Sequence, residues 1–513
     1  MESLVKPFSD LFKETYDTQR NKWENSLKHE LKLEDIGGKN FKKHLDLGQW
    51  PTLSLESLHQ QQLSCKSAWK KASQTYINPD FSHLKEFLID DLQSGVRCFF
   101  FHKDFLEQSD WKLIQDILEN FADKKDLEVF LLGQKKFKFQ TTLNVIDEEQ
   151  ILLARTIHEK GGHNVHELAL LTCQLIDSIE KPIKVAGVFL DSHFFKNIAK
   201  VRALKLLIQK VMHETGLEKE IKILTLNSYR EWTLFERYTN MLRNNVQVAA
   251  GYIAGADFIQ SSGYQSIFDL ETNVQDAFHT DRSNRMARNT GHILSLESML
   301  GIVEDAAYGS FHLENLSHQY AESAWKLMQL LLKMNHAERI QYLEVDLQKI
   351  RNERTQRVNF RKDIMAGMND FPDGKEKLNL TLKEYAPYRV ARSFEALRLR
   401  VEKLKHFPPV QIFCLGEFAE LNNRINFIKN YFELIGLEVL DPLQTHKNPS
   451  ERVIVLCAKD EHYPELIEKV SAEKAFIKFI AGKVEFSGYE AIFAGQNVYE
   501  VLNNLVKQLE DLK

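Results

Sequence analysis

Short apolar runs alternate with longer amphipathic stretches from Val96 to Pro372, and few folds accommodate that rhythm over about 275 residues. The predicted strands are Val96 to His102, Leu127 to Leu132, Ile183 to Leu190, Ile221 to Leu226 and Asp257 to Gln260. The predicted helices between them are Gln108 to Phe121, Val165 to Ile179, Phe194 to Met212 and Tyr238 to Ala250. Two α/β architectures repeat strand, helix, strand in this way: a closed (β/α)8 TIM barrel and an open doubly wound sheet. The pattern leaves both open, and the length favours the barrel.

A charged linker follows Phe371 to Gly374, and a helix predicted from Tyr388 to Lys405 leads to Pro408 and Pro409, a natural boundary. A smaller alternation then restarts, with strands at Gln411 to Leu415, Val453 to Cys457, Ala475 to Ile480 and Ala491 to Phe493. Helices are expected from Glu420 to Leu434 and Val498 to Leu512, which makes the tail a flavodoxin-like domain. At the other end, Phe8, Leu11, Phe12, Tyr16 and Trp23 form an apolar stripe within residues 1–40, with no partner nearby in sequence. The stripe packs either on a second subunit or back on its own barrel. The expected division is 1–40 as an extension, 41–373 as the barrel, 374–407 as linker and connecting helix, and 408–513 as the small domain.

Composition narrows the partners. Lys plus Arg number 67 against 72 for Asp plus Glu, so no basic surplus favours nucleic acid or an anionic membrane. Cys65, Cys98, Cys173, Cys414 and Cys457 are far apart and odd in number, and read as reduced core residues. No apolar run approaches the roughly 18 to 20 residues that a membrane span needs, and the first residues resemble neither a signal nor a transit peptide. A cytoplasmic protein is expected.

The stretch from Arg285 to Ser310, RMARNTGHILSLESMLGIVEDAAYGS, carries the densest chemistry. Arg285, Arg288 and Asn289 fall within one helical turn and can share a face rich in hydrogen-bond donors, suited to a phosphate or a carboxylate. The same residues would also serve as an internal polar network with Glu297 or Asp305 as counter-charges, a reading that the abundance of nearby acids favours. HEKGGH, from His158 to His163, is a zincin-like HExxH with one residue too many, and Gly161 with Gly162 would break the helix. His163 and His166 keep helical spacing, as surface helix histidines also do. No metal ligand is assigned.

This stretch resembles the signature segment of the cobalamin-dependent acyl-CoA mutases. Arg285, Ala287, Arg288, Asn289, Thr290, Leu294, Glu297, Asp305, Gly309 and Ser310 match the pattern, while Leu296, Ala306 and Tyr308 depart from it. Val188 to Leu207, Thr233 to Ile259 and Met365 to Asp373 resemble further family segments, in the family's order. The family is that of methylmalonyl-CoA mutase, and the resemblance implies an acyl-CoA-binding barrel followed by a cobalamin-binding domain.

The resemblance also marks losses. Active members place a cobalt-ligating histidine in an Asp-x-His-x-x-Gly loop; the corresponding Leu415 to Asn423 has no histidine, and His446 follows the wrong strand. The Gly-Gly turn for the nucleotide tail is replaced near Ala481-Gly482, so the small domain reads as degenerate. The family's catalytic histidine aligns with Thr156, with His158 two residues late, and the radical-flanking tyrosine has no counterpart between Trp50 and Tyr76. No catalytic or cofactor-binding residue is therefore assigned, and Arg285, Arg288, Asn289, Glu297, Asp305 and Ser310 are expected to be structural or vestigial. The resemblance implies a small non-catalytic subunit, with a large partner that holds adenosylcobalamin and acyl-CoA and interconverts methylmalonyl-CoA and succinyl-CoA. The alternative is an autonomous diverged barrel that binds acyl-CoA through Arg285 and Arg288.

Overall fold

The computed structural model describes residues 73–75, 84–102, 108–121, 127–132, 143–272, 277–301, 303, 305–384, 386–404, 409–442, 453–470 and 477–511. The expectations for residues 1–40, for Trp50 to Ala72, and for Pro408 and His446 lie outside the described residues.

Eight strands make the first sheet: β1 (Ser73–Thr75), β2 (Cys98–His102), β3 (Glu128–Leu132), β4 (Asn144–Asp147), β5 (Ile151–Leu153), β6 (Val185–Leu190), β7 (Lys222–Asn227) and β8 (Phe258–Ser261). Their order is β4-β3-β2-β1-β8-β7-β6-β5, and every pairing is parallel. β1 is hydrogen-bonded to both β2 and β8, so the first and last strands are neighbours. The two ends of the order, β4 and β5, are joined in the chain by one 3-10 turn, Glu148–Gln150.

Side chains alternate across the strands, and both faces are buried. Cys98, Phe100, Phe130, Ile146, Ile151, Val185, Leu224, Leu226 and Phe258, drawn from seven strands, meet in one cluster. Phe130 stacks on Phe100 at 4.4 Å between ring centroids and meets Phe258 edge-on at 5.0 Å. On the opposite face Phe99, Phe101, Val129 and Leu131 pack against α1 (Leu84–Gln93) and α2 (Gln108–Glu119) through Leu88, Leu92, Trp111, Ile114 and Leu118.

Five further helices cover β5 to β8: α3 (Arg155–Glu159), α4 (Asn164–Asp177), α5 (Phe194–Thr215), α6 (Thr239–Ile253) and α7 (Ser266–Glu271). The five predicted barrel strands and four predicted helices are all present, with ends shifted by a few residues. β1, β4 and β5 were not predicted, because each is shorter than the runs that periodicity can recognise. α8 (Ala277–His292) continues into a π-helical turn, Ile293–Glu297. α9 (Phe311–Leu331) and α10 (His336–Asn359) then lie over α4 and α5, with Tyr320, Met328, Leu343 and Leu347 in their shared core.

The helix expected from Tyr388 begins instead at Arg392, as α11 (Arg392–Glu402). Upstream the backbone is claimed by tertiary bonds: Tyr388 N donates to Glu159 O at 2.8 Å and Val390 N to Arg230 O at 3.0 Å. Tertiary pairing here overrides helix propensity.

The second sheet holds β9 (Val410–Leu415), β10 (Val453–Ala458), β11 (Ile477–Ala481) and β12 (Glu490–Ile492), all parallel in the order β12-β11-β10-β9. Val439 adds a single parallel bridge to Val410, on the edge of β9 away from β10. The order of successive strand positions is thus 2-1-3-4-5, with the second reduced to one bridge. α12 (Phe418–Glu433), α13 (Tyr463–Lys469) and α14 (Val498–Asp511) cover it. Val358, Met365, Met368, Val390 and Phe394, from before the second sheet, join its core. Cys414 and Cys457, distant in sequence, are register partners on β9 and β10, and both are free thiols.

Candidate functional site

The signature residues do not assemble into one donor face. Arg288 is buried on α8 and turns to α1, with Asp91 Oδ1 against Nη1 and Asp90 Oδ2 2.8 Å from Nη2. Its acids are therefore not Glu297 or Asp305, the candidates nearest in sequence. Arg285, Asn289 and Glu297 are exposed, and exposed Ser310 is the N-cap residue of α9. Asp305 serves a different arginine: Arg202 of α5, 1% exposed, binds Asp305 at 2.9 Å, Glu314 at 2.5 Å and the Ser317 hydroxyl at 3.2 Å. Two segments of the family pattern are thus tied together by one buried fork.

The polar groups that do converge lie at the carboxyl ends of β5, β6 and β7, the end where parallel sheets with helical crossovers bind ligands. Glu167, on α4 and 1% exposed, accepts from Lys200 Nζ at 2.7 Å and Phe189 N at 2.8 Å, and its Oε2 lies 3.3 Å from His158 Nδ1. Burial works against ionising Glu167, yet the Lys200 ammonium and the His158 bond hold its pKa down at about 2. Lys200 reaches this carboxylate through the first turns of α5 and also donates to Phe189 O at 2.7 Å.

His158, on short α3, is a buried ring stacked on Phe189 at 4.3 Å. Burial, reinforced by the Arg230 charge, lowers its pKa to about 4, so it is neutral at pH 7. Nδ1 donates to the charged Glu167, because Arg230 Nη2 has a better acceptor in His158 O at 2.8 Å than in Nδ1 at 3.3 Å. Thr156, aligned with the family's catalytic histidine, is exposed one helical step away. His163 caps α4, and its Nδ1 accepts from Arg354 Nη2 at 2.9 Å, which uses the lone pair that a zinc ion would need.

Sequence reasoning missed a third group in this region. Asp191 after β6, His193 at the start of α5 and Glu231 after β7 place their ligand-type atoms within 4.8 Å of one another. His193 Nδ1 lies 3.3 Å from Asp191 and 3.6 Å from Glu231, and Ser192 N donates to Glu231 at 2.9 Å. The Asp191 charge raises the His193 pKa to about 9, and the imidazolium holds Asp191 far below the usual carboxylate range. The triad supplies its own cation. Metal binding there would have to displace that proton.

At the second sheet the ligand crevice belongs at the carboxyl ends of β9 and β10, where the strand order reverses. Leu415 to Asn423 folds as the end of β9, a turn at Gly416 (φ +131°) and the start of α12. Arg424 then reaches across. Its Nη1 donates to Ala458 O, lies 3.0 Å from Asp460 Oδ1 and 3.2 Å from the Tyr463 hydroxyl, and that hydroxyl donates to Ala481 O. A methyl group placed on Gly482 would lie 3.3 Å from Asp460 Oδ1 and 3.6 Å from Arg424 Nη1, so the turn at Ala481-Gly482 is already lined by protein. His462, after β10, is 44% exposed and nearest Glu461 at 3.8 Å.

The family model for methylmalonyl-CoA mutase matches residues 185–407, from β6 through α11. The methylmalonyl-CoA mutase small subunit of Porphyromonas gingivalis is 29% identical over 371 residues, covering 64% of this chain and 57% of that protein. The small subunit from Propionibacterium freudenreichii subsp. shermanii is 24% identical over 346 residues, covering 60% of this chain and 53% of that one. The large subunit of the Porphyromonas gingivalis enzyme is 29% identical over 194 residues, 36% of this chain and 25% of its own length. The chain thus spans a little over half the length of the small subunits it matches. By the family model and these relatives together, the chain is similar to methylmalonyl-CoA mutases over residues 185–407 and, among the relatives, to their small subunits.

Proposed function

We propose that this chain is the small, non-catalytic subunit of an adenosylcobalamin-dependent methylmalonyl-CoA mutase, stabilising a large subunit that holds the cofactor and the acyl-CoA. One observation carries the reading: the crevice at the carboxyl end of the second sheet is occupied by Arg424 and Tyr463, beside a loop from Leu415 to Asn423 without a histidine. The residues there do not fit cobalamin. They supply no lower ligand for cobalt, and a nucleotide tail would have to displace a hydrogen-bonded arginine.

The architecture that supports this reading is a (β/α)8-type barrel followed by a flavodoxin-like domain. For the barrel, β1 pairs with both β2 and β8, and nine inward side chains from seven strands share one core. For the small domain, the order 2-1-3-4-5 is that of flavodoxin-like sheets. The barrel is assigned to 41–373, the linker to 374–407 and the small domain to 408–513. Among the described residues no helix is long and apolar enough to cross a membrane.

In this reading Arg288 with Asp90 and Asp91, and Arg202 with Asp305 and Glu314, are struts that keep the family pattern after its chemistry has moved to the partner. The test is co-expression with the large mutase subunit from the same source, followed by mass determination on a sizing column. A one-to-one complex is expected. Separate elution of both chains at micromolar concentration would sink the reading.

A further inference from the structure

Among the described residues three buried arginines come with two acids each, while Arg339 has Asp177 alone and Arg398 donates to the backbone carbonyls of Asp373 and Glu376. Arg202 has Asp305 and Glu314, Arg288 has Asp90 and Asp91, and Arg389 has Glu271 and Glu395. Arg230, only 6% exposed at the carboxyl end of β7, has none within ion-pair distance among the described residues. Its Nη2 donates to His158 O, its Nε is buried without a partner, and its Nη1 makes no hydrogen bond. Burial and, after it, the charge of Arg354 on α10 lower the Arg230 pKa to about 10, while the more distant charges of Asp191, Glu167 and Glu231 act the other way. Arg354 also lacks a carboxylate: it donates to Gly161 O and to His163 Nδ1. The three acids of the neighbourhood are engaged elsewhere, Glu167 by Lys200, Asp191 by His193, and Glu231 by Ser192 N and His193.

Two guanidinium groups that donate to one turn, from His158 to His163, and meet only neutral acceptors there form an arrangement that a protein interior does not favour unpaired. Their free donors lie at the carboxyl ends of parallel strands, where backbone and loops are arranged to receive ligands. Guanidinium forks match the planar or tetrahedral oxyanion of a carboxylate or a phosphate.

We propose that Arg230, assisted by Arg354, is a binding site for a small oxyanion, a carboxylate or a phosphate, which supplies the missing counter-charge at the carboxyl end of the first sheet. The site is distinct from the signature Arg288, whose Nη1 and Nη2 are already committed to Asp91 and Asp90. It does not depend on the subunit reading, since the readout belongs to this chain with or without a partner.

The test is thermal denaturation of the full chain at constant ionic strength, titrated separately with inorganic phosphate and with malonate against a chloride reference. A saturable rise in Tm is expected in the millimolar range, roughly 1–3 °C at ten times the half-saturating concentration. Arg230→Met should abolish it, and Arg230→Lys and Arg354→Gln should shift the half-point to higher concentration. A rise with phosphate alone would make it a phosphate site, and a rise with malonate alone a carboxylate site. A rise of equal size in parent and Arg230→Met would be general exclusion of anions from the surface and would overturn the proposal. So would the absence of any saturable rise in the parent. Should Arg230→Met fail to fold, the Arg230→Lys and Arg354→Gln half-points decide on the same terms.

Discussion

The carboxyl ends of the two sheets differ in what fills them. In the second sheet the crevice is closed by one side chain from α12 and one from α13, Arg424 and Tyr463, whose donors end on strand carbonyls. In the first sheet the corresponding end still gathers Glu167, Lys200, His158, Asp191, His193, Glu231 and Arg230. A partly exposed arginine and a buried tyrosine are enough to plug the crevice, with strand carbonyls as their main acceptors. A deeply buried ion cluster cannot drift in that way, since the loss of one member strands another charge.

The contrast can be broken most sharply at Lys200. Lys200→Met should cost about 3–5 kcal/mol by leaving Glu167 buried without its cation, read as loss of midpoint in urea unfolding. Adding Glu167→Gln should recover part of that loss; strictly additive effects would contradict the coupling.

Acid titration gives the next largest effect. The folded pKa of His158 lies near 4, below its ordinary value of 6.5, so the unfolded chain binds the extra proton between those values. Stability should therefore fall as pH drops from about 6.5 towards 4, by a few kcal/mol in order of magnitude. The groups facing the ring are Glu167, Arg230 and Lys200. His158→Phe, which keeps the stack on Phe189, should flatten the profile in that window, and an unchanged slope would contradict the assignment. His193 acts oppositely: its raised pKa stabilises below 6.5 and the gain is lost as pH rises through about 9. Half its side chain is exposed, so that limb should be shallow.

At the second sheet the effects should be smaller. Tyr463→Phe, which removes the hydroxyl between Arg424 and Ala481 O, should cost about 1–2 kcal/mol. Arg424→Ala should cost no more than about 1 kcal/mol, its guanidinium being one-third exposed and its acid Asp460 more so. If Arg424→Ala proved as damaging as Lys200→Met, the distinction between plug and cluster would fail.

Much of the fold could be read beforehand, and the reasons are local. Strands such as Val185–Leu190 and Val453–Ala458 are apolar throughout and stand between helices of clear amphipathic period, so their place is written within a few residues. β1, β4 and β5 fall below that resolution, and the late start of α11 depends on acceptors at Glu159 and Arg230, far away in the chain. The site was less legible for the same reason. Lys200 and Glu167 sit in helices whose sequence gives no sign that their ends will be buried together, and Asp91 is almost two hundred positions from Arg288. The absence of a histidine from Leu415 to Asn423 was plain, whereas the occupation of the crevice by Arg424 required the structure.

Counting adenosylcobalamin tests the central claim most directly. The chain should be purified alone and with the large mutase subunit from the same source, incubated with excess cofactor, desalted and read by absorbance, with turnover of methylmalonyl-CoA followed in parallel. About one cobalamin per pair, none retained by this chain alone and no turnover without the partner is the predicted result. One cobalamin retained per molecule of this chain alone, with turnover, would contradict it.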